Sequence, residues 1–251
     1  MPEALDELLV TSRALWGGEA MVFRAYWRYP DRTAETDRAW LARQCHKELF
    51  DGVAPRLQAF NAQIAGGPAV SDGERDPLEE GLVEAVEEYR HFRSFATVHE
   101  ALRGPGDPPL DFRSLRDDWR WPENEELAAL RARHRREHGE LGALAGVFTE
   151  GGGATLYAEG RALSGSKADL LIANACRAVH DDEVAHMREG LEGFRTRVLT
   201  DADWDALRTI TVAQLRQRIL MRNSQFGNPL SPGEVAAAQS GAAAPAGIAI
   251  A

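Results

Sequence analysis

A glutamate and a histidine one helical turn apart occur twice in this chain, each time inside a long segment with helical periodicity. The first copy is Glu88-Tyr-Arg-His91 and the second is Glu183-Val-Ala-His186. Residues three apart on a helix point to the same side. In both segments that side belongs to an apolar stripe, which includes Phe95 and Val98 beside the first copy. Because an ionised carboxylate inside a core is costly without a compensating charge, two such copies indicate a metal site.

Composition excludes several other classes of protein. The chain has 251 residues and a net charge of −10, which favours a large globular domain over a general nucleic-acid binder. No apolar run approaches the roughly 20 residues that span a bilayer, and the N-terminus lacks the pattern of a secretory signal. Cys45 and Cys176 are too few for a disulfide framework, and both lie on apolar helical stripes. We therefore expect a cytoplasmic protein without membrane contact.

The hydrophobic periodicity predicts an all-α chain. Helices are expected over 3–28, 33–64, 76–102, 125–163, 167–198 and 200–222. A loop near residue 70 and a proline-rich connection over 103–124 would join them, and the connection is long enough to cross a bundle. Residues 1–230 are predicted to form a single helical domain, followed by a disordered Ala/Gly-rich tail over 231–251.

The second Glu-x-x-His copy has a carboxylate partner on the preceding helix. In an antiparallel helix pair, facing residues lie at equal distances from the turn. Counting from the turn near Ser166 places Glu150 opposite Glu183, whereas Glu159 lies much too close to the turn. We therefore expect Glu150 to share a site with Glu183 and His186.

The first Glu-x-x-His copy has two candidate carboxylate partners on the preceding helix. Counting from the loop near residue 70 places both Glu48 and Asp51 close to the level of Glu88. Glu48 borders the apolar stripe beside Cys45, while Asp51 faces away from that stripe. The stripe favours Glu48, and Asp51 stays as the alternative.

The complete pattern is one glutamate from each of two helices plus a Glu-x-x-His from each of two others, as in ferritin-like di-iron carboxylate bundles. Over residues 33–198 the chain resembles this superfamily. The resemblance implies a four-helix bundle with a long crossover between its second and third helices, to which this chain adds N- and C-terminal helices. It also implies two iron ions, with manganese or a mixed iron–manganese pair as alternatives. The implied ligands, in chain order, are Glu48, Glu88, His91, Glu150, Glu183 and His186.

The implied activity is that of an O₂-dependent monooxygenase or oxidase. It would oxidise a small organic substrate with electrons from an external donor. One alternative is a ferritin- or rubrerythrin-like iron or peroxide oxidoreductase, although the chain has no Cys-x-x-Cys pair for a rubredoxin-type centre. Another is a tRNA-modifying di-iron hydroxylase, motivated by the arginines of 131–136 and 216–222, against which the acidic net charge counts. The sequence leaves a monomer and a homodimer open.

Two features near the expected ligands each allow two interpretations. His180 extends the second copy to His-x-x-Glu-x-x-His, so it is either an additional ligand or a histidine outside the ligand set. The run Gly151–Gly153 follows Glu150 directly, and each glycine inside a helix costs about 1 kcal/mol relative to alanine. The run either opens space for a substrate or allows a neighbouring helix to pack closely.

Overall fold

The computed structural model describes residues 3–66, 77–195 and 197–243. Every regular element within these ranges is helical, which confirms the prediction of an all-α chain. The chain divides into two compact units: a main unit of residues 1–36 and 121–251, and an inserted unit of residues 37–120. The single helical domain over residues 1–230 stays a prediction. Among the described residues, no helix has both the length and the apolar character needed to cross a membrane.

The inserted unit begins within the first turn of a long helix that changes its winding midway. Helix α2 covers Ala34–His46, a π-helical segment covers Lys47–Val53, and α3 covers Ala54–Gly66. Pro55 lacks an N–H, and its ring would clash with the carbonyl one turn earlier in a regular α-helix. The wider π turn lies immediately before this proline, and π turns of this kind are frequent at functional sites.

Two further helices complete the inserted unit. Helix α4 covers Pro77–Ala101 and packs against α3 and the π-helical segment. Helix α5 covers Phe112–Asp118 and lies within the connection predicted over 103–124. The face of α4 that carries Phe95 and Val98 is buried, as the apolar stripe predicts. The predicted loop near residue 70 lies outside the described residues.

The main unit is organised around α7, which contacts four other helices, α1, α6, α8 and α9. A sixth helix, α10, packs against α1 and α9. The helices cover Glu3–Trp27 (α1), Pro122–His138 (α6), Glu140–Arg161 (α7), Lys167–Arg195 (α8), Asp201–Gln225 (α9) and Pro232–Gln239 (α10).

Two segments of the main unit differ from the sequence prediction. The prediction of a single helix over 125–163 is wrong, because Gly139 adopts a φ of 55° and separates α6 from α7. Glycine takes this conformation without the strain that a side chain would bring. The predicted tail also contains α10, which begins with a capping box between Ser231 and Glu234 and buries Val235. Residues 244–251 lie outside the described residues.

The glycine run of α7 allows α1 to pack closely. A Cβ built on Gly151 would overlap the indole ring of Trp16, and one built on Gly152 would overlap the carboxylate of Glu19. The indole Nε1 of Trp16 also donates a hydrogen bond to the carbonyl of Phe148, at 2.7 Å. The structure therefore supports close packing, and not an opening for substrate, at these two glycines.

The start of α8 is capped by reciprocal hydrogen bonds between Ser166 and Asp169. Asp169 Oδ2 accepts the N–H of Ser166 at 3.0 Å, and Ser166 Oγ accepts the N–H of Asp169 at 3.1 Å. Asp169 Oδ1 also accepts from Trp27 Nε1 at 3.0 Å and from Arg32 Nη2 at 2.8 Å. Burial alone would raise the pKa of Asp169, but these donors outweigh it and lower the pKa from 3.8 to about 2.

We expect Asp169→Asn to lower the free energy of unfolding by about 1–2 kcal/mol at pH 7. Because the folded-state pKa is depressed, this contribution is fully present above about pH 4 and is lost as the pH falls through about 2. Urea denaturation should therefore show a smaller difference in the free energy of unfolding between wild type and Asp169→Asn at pH 2.5 than at pH 7. The matched control is Asp203→Asn, which removes the same cap position at the exposed start of α9. An equal loss in both variants would contradict the role of Trp27 and Arg32.

Candidate metal centre

The six expected ligands are distributed three to each unit. The first ligand set is Glu48, Glu88 and His91, in the inserted unit. The second ligand set is Glu150, Glu183 and His186, in the main unit. Each set combines a Glu-x-x-His copy with a glutamate from another helix of the same unit.

The first ligand set comes together inside the inserted unit. Glu48 lies on the π-helical segment and is 1% exposed, and His91 lies on α4 and is 3% exposed. Glu88, one turn before His91, is partly buried, and its Oε2 lies 3.8 Å from His91 Nδ1. One ligand atom from each of the three residues lies within 4.8 Å of the other two. The alternative partner, Asp51, is exposed and is not a member of this group.

Two basic residues balance the charge of this set. Lys47 Nζ lies 3.6 Å from Glu48 Oε2, and Arg56 Nη1 lies 3.2 Å from Glu88 Oε1. Burial raises the pKa of Glu48 above its ordinary value. Burial also acts to raise the pKa of Glu88, but the hydrogen bond from His91 and the charges of Lys47 and Arg56 outweigh it, so the pKa of Glu88 is lowered. The interaction between the two carboxylates acts in opposite directions on them: it raises the pKa of Glu48 and lowers the pKa of Glu88.

The geometry and chemistry of the first ligand set fit a metal ion. Two donor atoms bound to one ion at about 2.1 Å can be at most about 4.2 Å apart. A group whose atoms lie within 4.8 Å of one another therefore needs only a small contraction. Two carboxylates and an imidazole are donors suited to iron or manganese. A divalent cation would also offset the charge of the two carboxylates.

The second ligand set is less tightly gathered. Glu183 on α8 is 7% exposed, while Glu150 on α7 and His186 on α8 are half-buried. Among the described residues, the first set is the one group of three ligand-type side chains within 4.8 Å of one another. The second set has the same donor types on the same spacing, but its fit to an ion rests on the sequence pattern and on the burial of Glu183.

A buried ion-pair cluster lies next to the second set. Glu19 of α1 accepts hydrogen bonds from Arg218 Nε at 2.8 Å, from Arg218 Nη2 at 3.0 Å and from Arg222 Nε at 3.2 Å. All three side chains are at most 4% exposed. Burial acts to lower the pKa of Arg218, but the charge of Glu19, helped by Glu150 and Glu183, keeps it above its ordinary value. Arg218 therefore supplies positive charge to the second set.

Sequence reasoning missed this cluster because it lies outside residues 33–198, to which the resemblance applies. Two signals were present. Glu19 follows Gly17-Gly18 in the middle of an apolar helix, and a carboxylate in such a stripe calls for a partner. Arg218 and Arg222 lie one turn apart on α9, on either side of Ile219. Neither signal identifies which residues pair.

Other residues near the expected ligands have structural partners. The Nδ1 of His180 lies 2.9 Å from both Arg161 Nη1 and Asp181 Oδ1, and both of those partners are exposed. This arrangement favours His180 as a histidine outside the ligand set. Arg131 donates to Thr149 and Arg216 donates to the carbonyl of Gln239, so arginines that motivated the tRNA alternative serve contacts within the main unit.

Comparisons of the chain with protein-family models, with curated proteins and with solved structures find no match in any of the three.

Proposed function

We propose that this protein is a non-haem di-iron oxidoreductase that activates O₂ to oxidise a small organic substrate. The observation that carries the proposal is the convergence of Glu48, Glu88 and His91, two of them almost fully buried, within 4.8 Å. A buried carboxylate pair beside an imidazole is a costly arrangement for a fold, and a cation offsets that cost. The proposal includes a ferritin-like arrangement of α2–α3, α4, α7 and α8, which carry the ligands in chain order.

In this proposal each ligand set binds one metal ion, and an external donor supplies electrons. When bound, reduced iron supplies the redox chemistry that O₂ activation requires. The protein's own residues hold and orient the ions. Lys47 and Arg56 form ion pairs with the carboxylates of the first set, and the positive charge of Arg218 acts on the carboxylates of the second set.

The test is anaerobic loading of the metal-free protein with Fe²⁺, followed by metal analysis and measurement of O₂ consumption after reduction. We expect two ions per chain and O₂ uptake that depends on them. Glu183→Ala and His91→Ala should each lose at least one ion and most O₂ uptake. The matched control is His99→Asn, because His99 is also buried on α4, two turns after His91, outside the ligand group.

Three results would contradict the proposal. The first is no bound iron or manganese, and the second is undiminished O₂ uptake in Glu183→Ala. The third is a shell of many subunits with a mineral core in size-exclusion chromatography and iron analysis, which would indicate iron storage instead.

A further inference from the structure

A glycine lies against the glutamate of each Glu-x-x-His copy. A Cβ built on Gly52 would lie 2.7 Å from Glu88 Oε2 and 2.8 Å from its carboxylate carbon. A Cβ built on Gly153 would lie 3.2 Å from the carboxylate carbon and from both oxygens of Glu183. Contacts under 3.0 Å essentially never occur for real Cβ atoms, and contacts of 3.0–3.4 Å are uncommonly tight. Both carboxylates therefore occupy space that a side chain would take.

The two sets share the same local arrangement, although they lie in different units. Gly52 follows Glu48 by four residues on the π-helical segment, and Gly153 follows Glu150 by three residues on α7. Each spacing is close to one turn of the helix concerned. In both sets, the helix that supplies the lone glutamate therefore also supplies a glycine, one turn later, on the same face.

We propose that Gly52 and Gly153 are positioning residues for the metal ions. By lacking a Cβ, each provides the slot in which a carboxylate lies against the neighbouring helix, and so fixes where that carboxylate presents its oxygens. This inference rests on the proposed metal-binding function and assigns it two residues that are not ligands.

Two other glycines of the main unit lie against backbone or apolar atoms, and the contrast supports the proposal. A Cβ on Gly142 would overlap the backbone of His134, and a Cβ on Gly190 would lie 2.6 Å from Val147. A substitution there must move the backbone of a helix or the side chain of Val147. At Gly52 the atoms met belong to the end of the flexible Glu88 side chain, which moves easily. Alanine at Gly52 should therefore displace the ligand and leave the fold intact.

The test compares Co²⁺ binding by wild type and by glycine-to-alanine variants, measured by competition with a chelator and by the visible spectrum of the bound ion. Gly52→Ala should weaken binding at the first set by about 10- to 100-fold and change the spectrum. Gly153→Ala should cause a smaller loss at the second set, of at most about 10-fold. The melting temperature of the metal-free variants should be unchanged or higher, because alanine favours the helix over glycine.

Two matched controls are available on helices of the same sets. Gly81 on α4 and Gly146 on α7 have no atom within 4 Å of a built Cβ. Gly81→Ala and Gly146→Ala should bind Co²⁺ with wild-type affinity and spectrum. A loss in these controls equal to that of Gly52→Ala would overturn the proposal, because general helix effects would then explain it.

The outcomes separate this inference from the proposed function. If wild type binds Co²⁺ and Gly52→Ala binds it with the same affinity and spectrum, the positioning role is overturned and the proposed function stands. If Gly52→Ala melts at a markedly lower temperature without metal, Gly52 is a packing residue and the inference is again overturned. A wild-type chain that binds no Co²⁺ overturns both.

Discussion

Replacing Glu19 by glutamine is expected to lower the free energy of unfolding by about 3–5 kcal/mol. Glu19 is 1% exposed and accepts three hydrogen bonds from the guanidinium groups of Arg218 and Arg222, which are also buried. Glutamine has almost the same shape but carries no charge, so two buried guanidinium groups would lose the carboxylate that they share. Removing one partner of a buried ion pair costs far more than removing an exposed one. Urea denaturation of both proteins measures the difference.

A surface ion pair between the same two helices provides the control. Arg208 Nη2 of α9 lies 2.7 Å from Glu7 Oε2 of α1, and both side chains are more than 40% exposed. Exposed pairs contribute about 0–1 kcal/mol, so Glu7→Gln should have little effect. If Glu7→Gln and Glu19→Gln lowered the free energy of unfolding equally, burial of the Glu19 cluster would not determine how much that cluster stabilises the protein.

Acid should reduce the effect of Glu19→Gln. The pKa of Glu19 is below its ordinary value, because the charges and hydrogen bonds of Arg218 and Arg222 outweigh the effect of burial. The stability that ionised Glu19 contributes is therefore complete above the ordinary carboxyl pKa of 4.5 and is lost as the pH falls through the lower folded-state value. The difference in the free energy of unfolding between wild type and Glu19→Gln should therefore become smaller as the pH falls below 4.5.

The partners of Glu19 illustrate what the sequence does not encode locally. Glu19 and Arg218 are separated by 199 positions, and no periodicity within α1 or α9 identifies that pairing. The same limit explains Gly139, whose φ of 55° ends α6 although the flanking segments are both helical in pattern. Helix type and inward faces depend on neighbouring residues, whereas pairing and helix breaks depend on the assembled unit.

The first ligand set was more accessible to sequence reasoning because its main constraints are local. Glu88 and His91 share a face through their spacing alone, and the apolar stripe favoured Glu48 over Asp51. The structure buries Glu48 and exposes Asp51. The slot at Gly52 lay beyond that reasoning, because it depends on how α4 packs against the preceding helix, which a stripe on either helix does not specify.

Replacing Glu48 by glutamine is expected to weaken metal binding at the first ligand set by at least about 100-fold, because a neutral amide is a poor ligand for a hard cation. The same substitution should raise the melting temperature of the metal-free protein at pH 8 or leave it unchanged. Glu48 is buried beside Glu88, and burial raises its pKa, so its ionised form is disfavoured in the folded state. That penalty is absent below the ordinary pKa of 4.5 and develops as the pH rises above it.

The order of the melting temperatures of wild type and Glu48→Gln should therefore reverse when metal is added. Without metal, Glu48→Gln should melt at or above wild type, whereas with excess Mn²⁺ wild type should melt higher, because binding to the folded state stabilises it by mass action. Glu84→Gln is the matched control, since Glu84 lies one turn before Glu88, binds Arg56 and is largely exposed. Glu84→Gln should melt at the same temperature as wild type, both without metal and with excess Mn²⁺. If Glu48→Gln melts below wild type without metal, the Glu48–Glu88 pair stabilises the fold by itself, and the argument that its cost is offset by a cation fails.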